Sequence, residues 1–123
     1  MSTRKTLSVG QCLADHGRIA DALHASFGVE VVPADTAVEA LQRLREEAFA
    51  LVLVNRVFDR DGDSGLDFIR QVHLDEQLRK VPIMLVSNYE DVQARAVAAG
   101  AQPGFGKASL HEAETLELLR NYL

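Results

Sequence analysis

The chain has 123 residues, 47% of them hydrophobic and 25% charged, with 18 acidic against 13 basic side chains and a formal charge of -5. That length suits a single domain, residues 1–123, burying roughly 65% of its unfolded surface around one core, and the acidic balance argues against nucleic acid as the partner. Apolar stretches fall far short of the roughly 20 residues that span a bilayer, "MSTRKT" leads into no signal-peptide core, and the lone Cys12 has no disulfide partner, so no membrane contact and a cytoplasmic location are expected.

Residues 6–9 form a short half-apolar run, read as a first strand, with "GQCLADHG" as the loop that follows. From Arg18 the pattern turns helical, with Ile19, Ala22, Leu23, Ser26 and Phe27 three or four apart on one face and Gly28 as the stop. "VEVV", residues 29–32, reads as a second strand. Thr36 followed three residues later by Glu39 has capping-box spacing, and Ala40, Leu41 and Leu44 supply the buried side of the helix that it opens.

"FALVLV", residues 49–54, is an uninterrupted apolar run sized for a buried parallel strand, and it ends at Asn55. After an acidic loop, Ser64 precedes Asp67 at capping spacing, and Leu66, Phe68, Ile69, Val72 and Leu74 are expected on the buried side of a third helix. "VPIMLV", residues 81–86, is a fourth strand with Pro82 at its beginning, where a missing amide proton does least harm. "SNYED" leads into a short helix that ends at Gly100. "PGFG", residues 103–106, has poor strand propensity and is placed as a fifth strand because the sheet still needs covering. Ser109, three residues before Glu112, suggests another capping box, with Ala113, Leu116, Leu119 and Leu123 turned inward.

Short strands alternating with amphipathic helices imply parallel strands joined by right-handed crossovers, and so an open α/β sandwich of three layers around a five-stranded parallel sheet. In such sheets the polar positions just past the strand ends share a crevice. Here they are Gly10 and Gln11, Asn55, Ser87 and Asn88, and Lys107. A hydroxyl, an amide and an ammonium converging there suit a phosphate-like anion, although strand-end polar residues also commonly serve only to cap helices.

The strand ending at Asn55, "PIMLVSN" with Ser87 at its end, and "GAQPGFGK" ending at Lys107 together resemble the receiver domain of two-component response regulators. The resemblance runs from Thr6 to Leu123 and implies a flavodoxin-like sheet of strand order 2-1-3-4-5. It also implies that Ser87 contacts a phosphoryl group and that Lys107 pairs with it. Two positions depart from the family: Asn55 stands where an aspartate accepts phosphate, and Gly10 with Gln11 stands where an acidic pair holds magnesium. An amide is not a competent nucleophile toward phosphorus, and a pocket floored by Gly10 and Gln11 supplies no carboxylate to the metal. Neither a metal nor any other cofactor is therefore expected, and Asn55 is free to hydrogen-bond Lys107 or Ser87. The aromatic switch position of receivers falls on Gly104, with Phe105 one place later, and Ala108 replaces the proline that usually follows the lysine, which predicts a trans bond there.

"DRDGDSGLD" sets Asp59, Asp61 and Asp63 at alternate positions, as at the start of an EF-hand calcium loop, but Ser64 and Arg70 then occupy the places of the turn glycine and the closing glutamate. Solvated carboxylates near a helix N-terminus are the plainer reading, with weak divalent binding as the alternative. His16, His24, His73 and His111 have no metal-ligand spacing, and they form no nucleophile–base arrangement with the serines. Cys12 beside the crevice is read as a half-buried thiol.

The expected function is a non-enzymatic, receiver-like signalling module that works through protein contacts without phosphorylation. The alternatives are a phosphorelay receiver using another carboxylate such as Asp59, and an anion-binding or divalent-cation-binding module. Contacts with a signalling protein, an output domain or a second copy are expected on the face of the fourth helix, fifth strand and fifth helix, through Tyr89, Arg95, Phe105, Glu117, Arg120 and Tyr122.

Overall fold

The computed structural model describes residues 4–123. Five strands, β1 (Lys5–Val9), β2 (Glu30–Ala34), β3 (Leu51–Asn55), β4 (Ile83–Val86) and β5 (Gln102–Phe105), form one sheet in the order β2-β1-β3-β4-β5. Every pairing is parallel, and the register between β4 and β5 slips between Met84 and Val86. The helices are α1 (Leu13–Phe27), α2 (Ala37–Glu46), α3 (Gly65–Leu74), α4 (Glu90–Ala98) and α5 (Ala113–Arg120). This is the flavodoxin-like α/β sandwich expected from the alternation of strands and helices.

Side chains alternate across each strand, so the sheet separates two cores. Leu7, Val9, Val52, Val54 and Leu85 pack with α2, α3 and α4 through Ala40, Leu44, Phe68, Ile69 and Ala96. Leu51, Leu53, Met84, Val86 and Phe105 pack on the other face with Ile19, Leu23 and Leu119 of α1 and α5. The central strand β3 is closed to water from Leu51 to Val54, which explains why it reads as an unbroken apolar run.

Local signals set several boundaries. The Thr36 hydroxyl accepts from the Glu39 amide at 3.2 Å, and the Ser64 hydroxyl accepts from the Asp67 amide at 3.2 Å, as the capping spacing predicts. Four readings need correction. The segment taken as the loop "GQCLADHG" is mostly helix: α1 starts at Leu13, with the Cys12 sulfur accepting from the Asp15 amide at 3.5 Å, and the apolar periodicity that marks the helix begins a turn later. β2 runs on through Pro33, which an edge strand tolerates because one side of its ladder has no partner. Ser109 lies in a 3₁₀ turn, so Glu112 occupies the N-cap of α5 without a side-chain bond, and Ala113 is exposed. Leu74, at the end of α3, is 80% exposed because the helix has already rotated its apolar face past the sheet.

Candidate functional site

β3, β4 and β5 end beside one another and bring together a cavity of 280 Å³ lined by Asn55, Ser87, Asn88, Tyr89 and Lys107, with Arg56 and Val57 at its side. The convergence of Asn55, Ser87 and Lys107 anticipated from the sequence is therefore present. Their hydrogen bonds are not those anticipated. The Asn55 amide nitrogen donates to the carbonyl of Gly10 at 3.0 Å and to that of Val57 at 2.8 Å, tying the end of β3 to the end of β1. The Ser87 hydroxyl, buried at the end of β4, accepts from the Tyr89 amide at 3.2 Å.

Lys107 reaches neither of them. Its ammonium donates to Oδ2 of Asp15 at 2.7 Å, an ion pair in which both side chains are largely shielded. That hydrogen bond brings the Asp15 carboxyl down to about 2, against the opposing effect of burial, with Arg18 and the Cys12 sulfur assisting. Asp15 sits in the first turn of α1, where the helix dipole also favours negative charge. Sequence reading missed it because the residue was assigned to a loop. Its place two residues inside a cysteine-capped helix was the signal available.

Glycine at the first of the two first-loop positions has a steric explanation. Gly10 has φ of 75°, a left-handed conformation that glycine adopts readily. A Cβ there would lie 2.2 Å from Cδ1 of Phe58. Phe58 is 1% exposed, stacks edge-on against Phe68 with centroids 6.0 Å apart, and anchors the acidic loop beneath the β1 turn. Backbone bonds from Phe58 to Asp63 and from Gly62 to Phe58, with a bridge between Val57 and Ser64, close that loop on itself. Asp61 accepts from the Asp63 amide at 3.0 Å, and Asp59, Asp61 and Asp63 are all exposed. Among the described residues no three His, Cys, Asp or Glu side chains are grouped to share a metal ion.

No protein-family model and no curated protein matches the sequence. Solved structures do match. The fold is similar to that of a response regulator from Thermotoga maritima, at 24% identity and TM-score 0.77 over 98% of each chain. It is also similar to a response regulator receiver protein from Pseudomonas putida, at 23% identity and TM-score 0.78 over 98% of each chain. The chemotaxis response regulator CheY4 of Vibrio cholerae matches at 20% identity and TM-score 0.76, over 99% of this chain and 100% of that one. The chain has the receiver fold. At these identities the likeness extends to the fold alone.

The receiver fold implies a magnesium ion at the ends of β1 and β3, and the residues present do not fit one. Magnesium binds through one or two carboxylates together with phosphate oxygens, whereas the lining of this cavity holds the amides of Asn55 and Asn88, the hydroxyls of Ser87 and Tyr89, the Arg56 guanidinium and a Lys107 ammonium already paired with Asp15, and no carboxylate.

At Gly104, a Cβ would lie 2.2 Å from the Leu85 carbonyl oxygen and 3.0 Å from Oε1 of Gln93. The space beside the strand is taken by the Gln93 side chain from α4. Its Nε2 donates to the carbonyls of Leu85 at 2.9 Å, Ser87 at 3.1 Å and Phe105 at 3.3 Å, while Oε1 accepts from the Gly104 amide at 3.2 Å. One side chain thereby bridges β4 and β5 where their register slips. Sequence reading did not single out Gln93, since a polar residue on a short helix gives no sign of reaching a strand.

The expected contact face is only partly exposed. Phe105 is 6% exposed and belongs to the core, because its side chain points toward α1 and α5. Tyr122 packs partly against that core and donates from its hydroxyl to Gln102 at 3.3 Å. Tyr89 is 59% exposed with the Arg56 guanidinium 5.4 Å from its ring centroid, a cation–π geometry. Arg95, Glu117 and Arg120 are exposed, the last two paired at 2.7 Å. Among the described residues no helix is long and apolar enough to cross a membrane.

Proposed function

We propose that this chain is a receiver-like signalling module that acts through protein contacts and has no phosphorylated state at Asn55. The observation that carries the reading is the Lys107–Asp15 pair at 2.7 Å: the cation that would meet a phosphoryl group already has a carboxylate partner within the chain. The Asn55 amide, with both contacts made to backbone carbonyls, and the Gln93 bridge across β4 and β5 support a pocket and an adjoining face held in one arrangement. The module works in the cytoplasm, catalyses no reaction, and docks a signalling protein, an output domain or a second copy on the face of α4, β5 and α5. Nucleic acid is not its target.

A phosphorelay through Asp59 has less support, because Asp59 lines a different cavity from Lys107 and Ser87. The test is incubation with acetyl phosphate and magnesium, followed by intact-mass measurement, alongside amide spectra recorded with and without beryllofluoride. An unchanged mass and superimposable spectra are expected. A stable phosphoryl adduct on any residue of this chain would overturn the reading.

A further inference from the structure

Most lysines and arginines among the described residues are paired with a carboxylate, and Arg56 is not. Its guanidinium lies instead 5.4 Å from the centroid of the Tyr89 ring. Both residues are exposed, and both line the 280 Å³ cavity at the ends of β3 and β4. Contact with a ring face leaves the edge of the guanidinium, with its forked N–H donors, open to a ligand. The lining holds no carboxylate, although the chain carries a formal charge of -5, and Glu90, next to Tyr89, lines the neighbouring cavity. The other cation of the lining, Lys107, is met by Asp15 at 2.7 Å, and Arg18, which shares Asp15, lies outside the lining. One uncompensated positive charge therefore remains in the cavity, at Arg56. Asn88, also exposed, accepts from the Ala108 amide through Oδ1 at 3.2 Å, which holds the side chain in place and leaves Nδ2 to donate.

We propose that this cavity binds a small organic monocarboxylate, with the Arg56 guanidinium as its ion-pair partner and the Asn88 side-chain amide as a further donor. A planar guanidinium fork matches the two oxygens of a planar carboxylate, and one cation balances one negative charge. A phosphate dianion brings a second charge for which the lining has no unpaired cation. Val57, 44% exposed, and the Tyr89 ring give the carbon part of the ligand apolar surface beside the charged end. Small-molecule sites commonly span about 300–1,000 Å³, so a cavity of 280 Å³ suits a ligand of few carbons. The assignment rests on the reading that Lys107 stays with Asp15 and that Asn55 carries no phosphoryl group.

The test is a titration of the isotope-labelled full chain with propionate, at constant ionic strength and at a slightly alkaline pH where inorganic phosphate is mostly a dianion. It is read at the Asn88 side-chain amide, the Arg56 Nε–H and the Tyr89 backbone amide. Propionamide is the neutral comparator of the same shape, and inorganic phosphate is the dianion. Saturable shifts at these groups are expected with propionate, at a Kd of about 1–10 mM, with none from propionamide and weaker binding of phosphate. Arg56→Gln, at an exposed position with no ion pair to lose, should weaken propionate binding by about tenfold or more. Arg56→Lys, which keeps the charge and removes the fork, should fall between the two. Lys80→Gln, which removes an exposed cation at the opposite end of β4, should leave binding unchanged. The reading of Asn55 fails separately, on a phosphoryl adduct formed from acetyl phosphate, because the titration contains no activated phosphoryl donor. No saturable shift with propionate would overturn the proposal. So would equal shifts with propionamide, phosphate binding as tightly as propionate, or unaltered propionate affinity in a folded Arg56→Gln protein.

Discussion

Nζ of Lys107 lies 2.7 Å from Oδ2 of Asp15 and joins the end of β5 to the first turn of α1 across the top of the sheet. The carboxyl is held at about 2, so the folded chain binds this proton less readily than the unfolded chain does. Its contribution to stability is complete above the ordinary carboxylate range, near pH 4, and disappears as pH falls through about 2. Partial exposure reduces the size of the effect to about 1–2 kcal/mol. Asp15→Asn should lose that amount at neutral pH, and urea midpoints should show its stability to be flatter than that of the parent between pH 4 and pH 2.

Gly10 faces Phe58 closely enough that any side chain at position 10 meets the ring. Gly10→Asp, which would supply one of the carboxylates a receiver uses for metal, should cost about 2–4 kcal/mol through left-handed strain and overpacking together. Thermal denaturation would measure it. Phe58→Ala should relieve the clash in the double variant, so the two changes together should cost less than the sum of each alone.

The strands and helices were readable because strands closed on both faces must be apolar throughout, as in residues 51–54, and because helix caps at Thr36 and Ser64 carry their own spacing, while the strand order followed only from the resemblance to receiver domains. The strand-end residues Asn55, Ser87 and Lys107 could be placed for the same reason, since topology alone sets them side by side. Their partners were not legible. Asp15 is selected by a charge 92 positions away, and Gln93 is selected by a gap that the missing side chain of Gly104 leaves beside β5. Each depends on three-dimensional contact that no local periodicity records.

The Asn55 amide is suited to its surroundings because both of its contacts are carbonyl oxygens. A carboxylate there would lose two hydrogen bonds and face two acceptors. Asn55→Asp should lower stability at neutral pH by about 1–3 kcal/mol, and part of the loss should return as the new carboxyl is protonated at lower pH, since a proton restores one donor. Acetyl phosphate should still leave its mass unchanged, because Lys107 stays with Asp15 and no metal carboxylates have been added.

Gln93 makes its bonds to the backbones of β4 and β5 from a half-buried position. Gln93→Leu keeps most of the volume and removes every one of those bonds, leaving the Gly104 amide without its acceptor. A loss of about 1–3 kcal/mol is expected, with hydrogen exchange accelerating at Gly104 and little change at Val52 or Leu53, which lie in the centre of the sheet. Uniform acceleration across the sheet would show that the side chain contributes only global stability.

The proposed contact face carries a groove of 500 Å³ between α4, β5 and α5, and its lining includes Glu90, Glu112 and Glu114 together with the apolar Leu118. Tyr89 and Val97 are exposed on α4 and its N-cap, at 59% and 44%. A partner seated in the groove needs basic groups, so Glu112→Lys and Glu114→Lys should each weaken association about two- to fivefold, a loss of the size expected for a charge at a solvent-exposed rim. Arg95→Glu and Arg120→Glu should also weaken it where the partner extends past the groove. The smaller effect is expected at Arg120, whose charge is already offset by Glu117 at 2.7 Å. Affinity capture from native extract, comparing the parent with these four variants after each has been shown to keep its folded amide spectrum, measures the differences directly. Equal recovery of every specific partner by all five proteins would place the functional surface elsewhere on the fold.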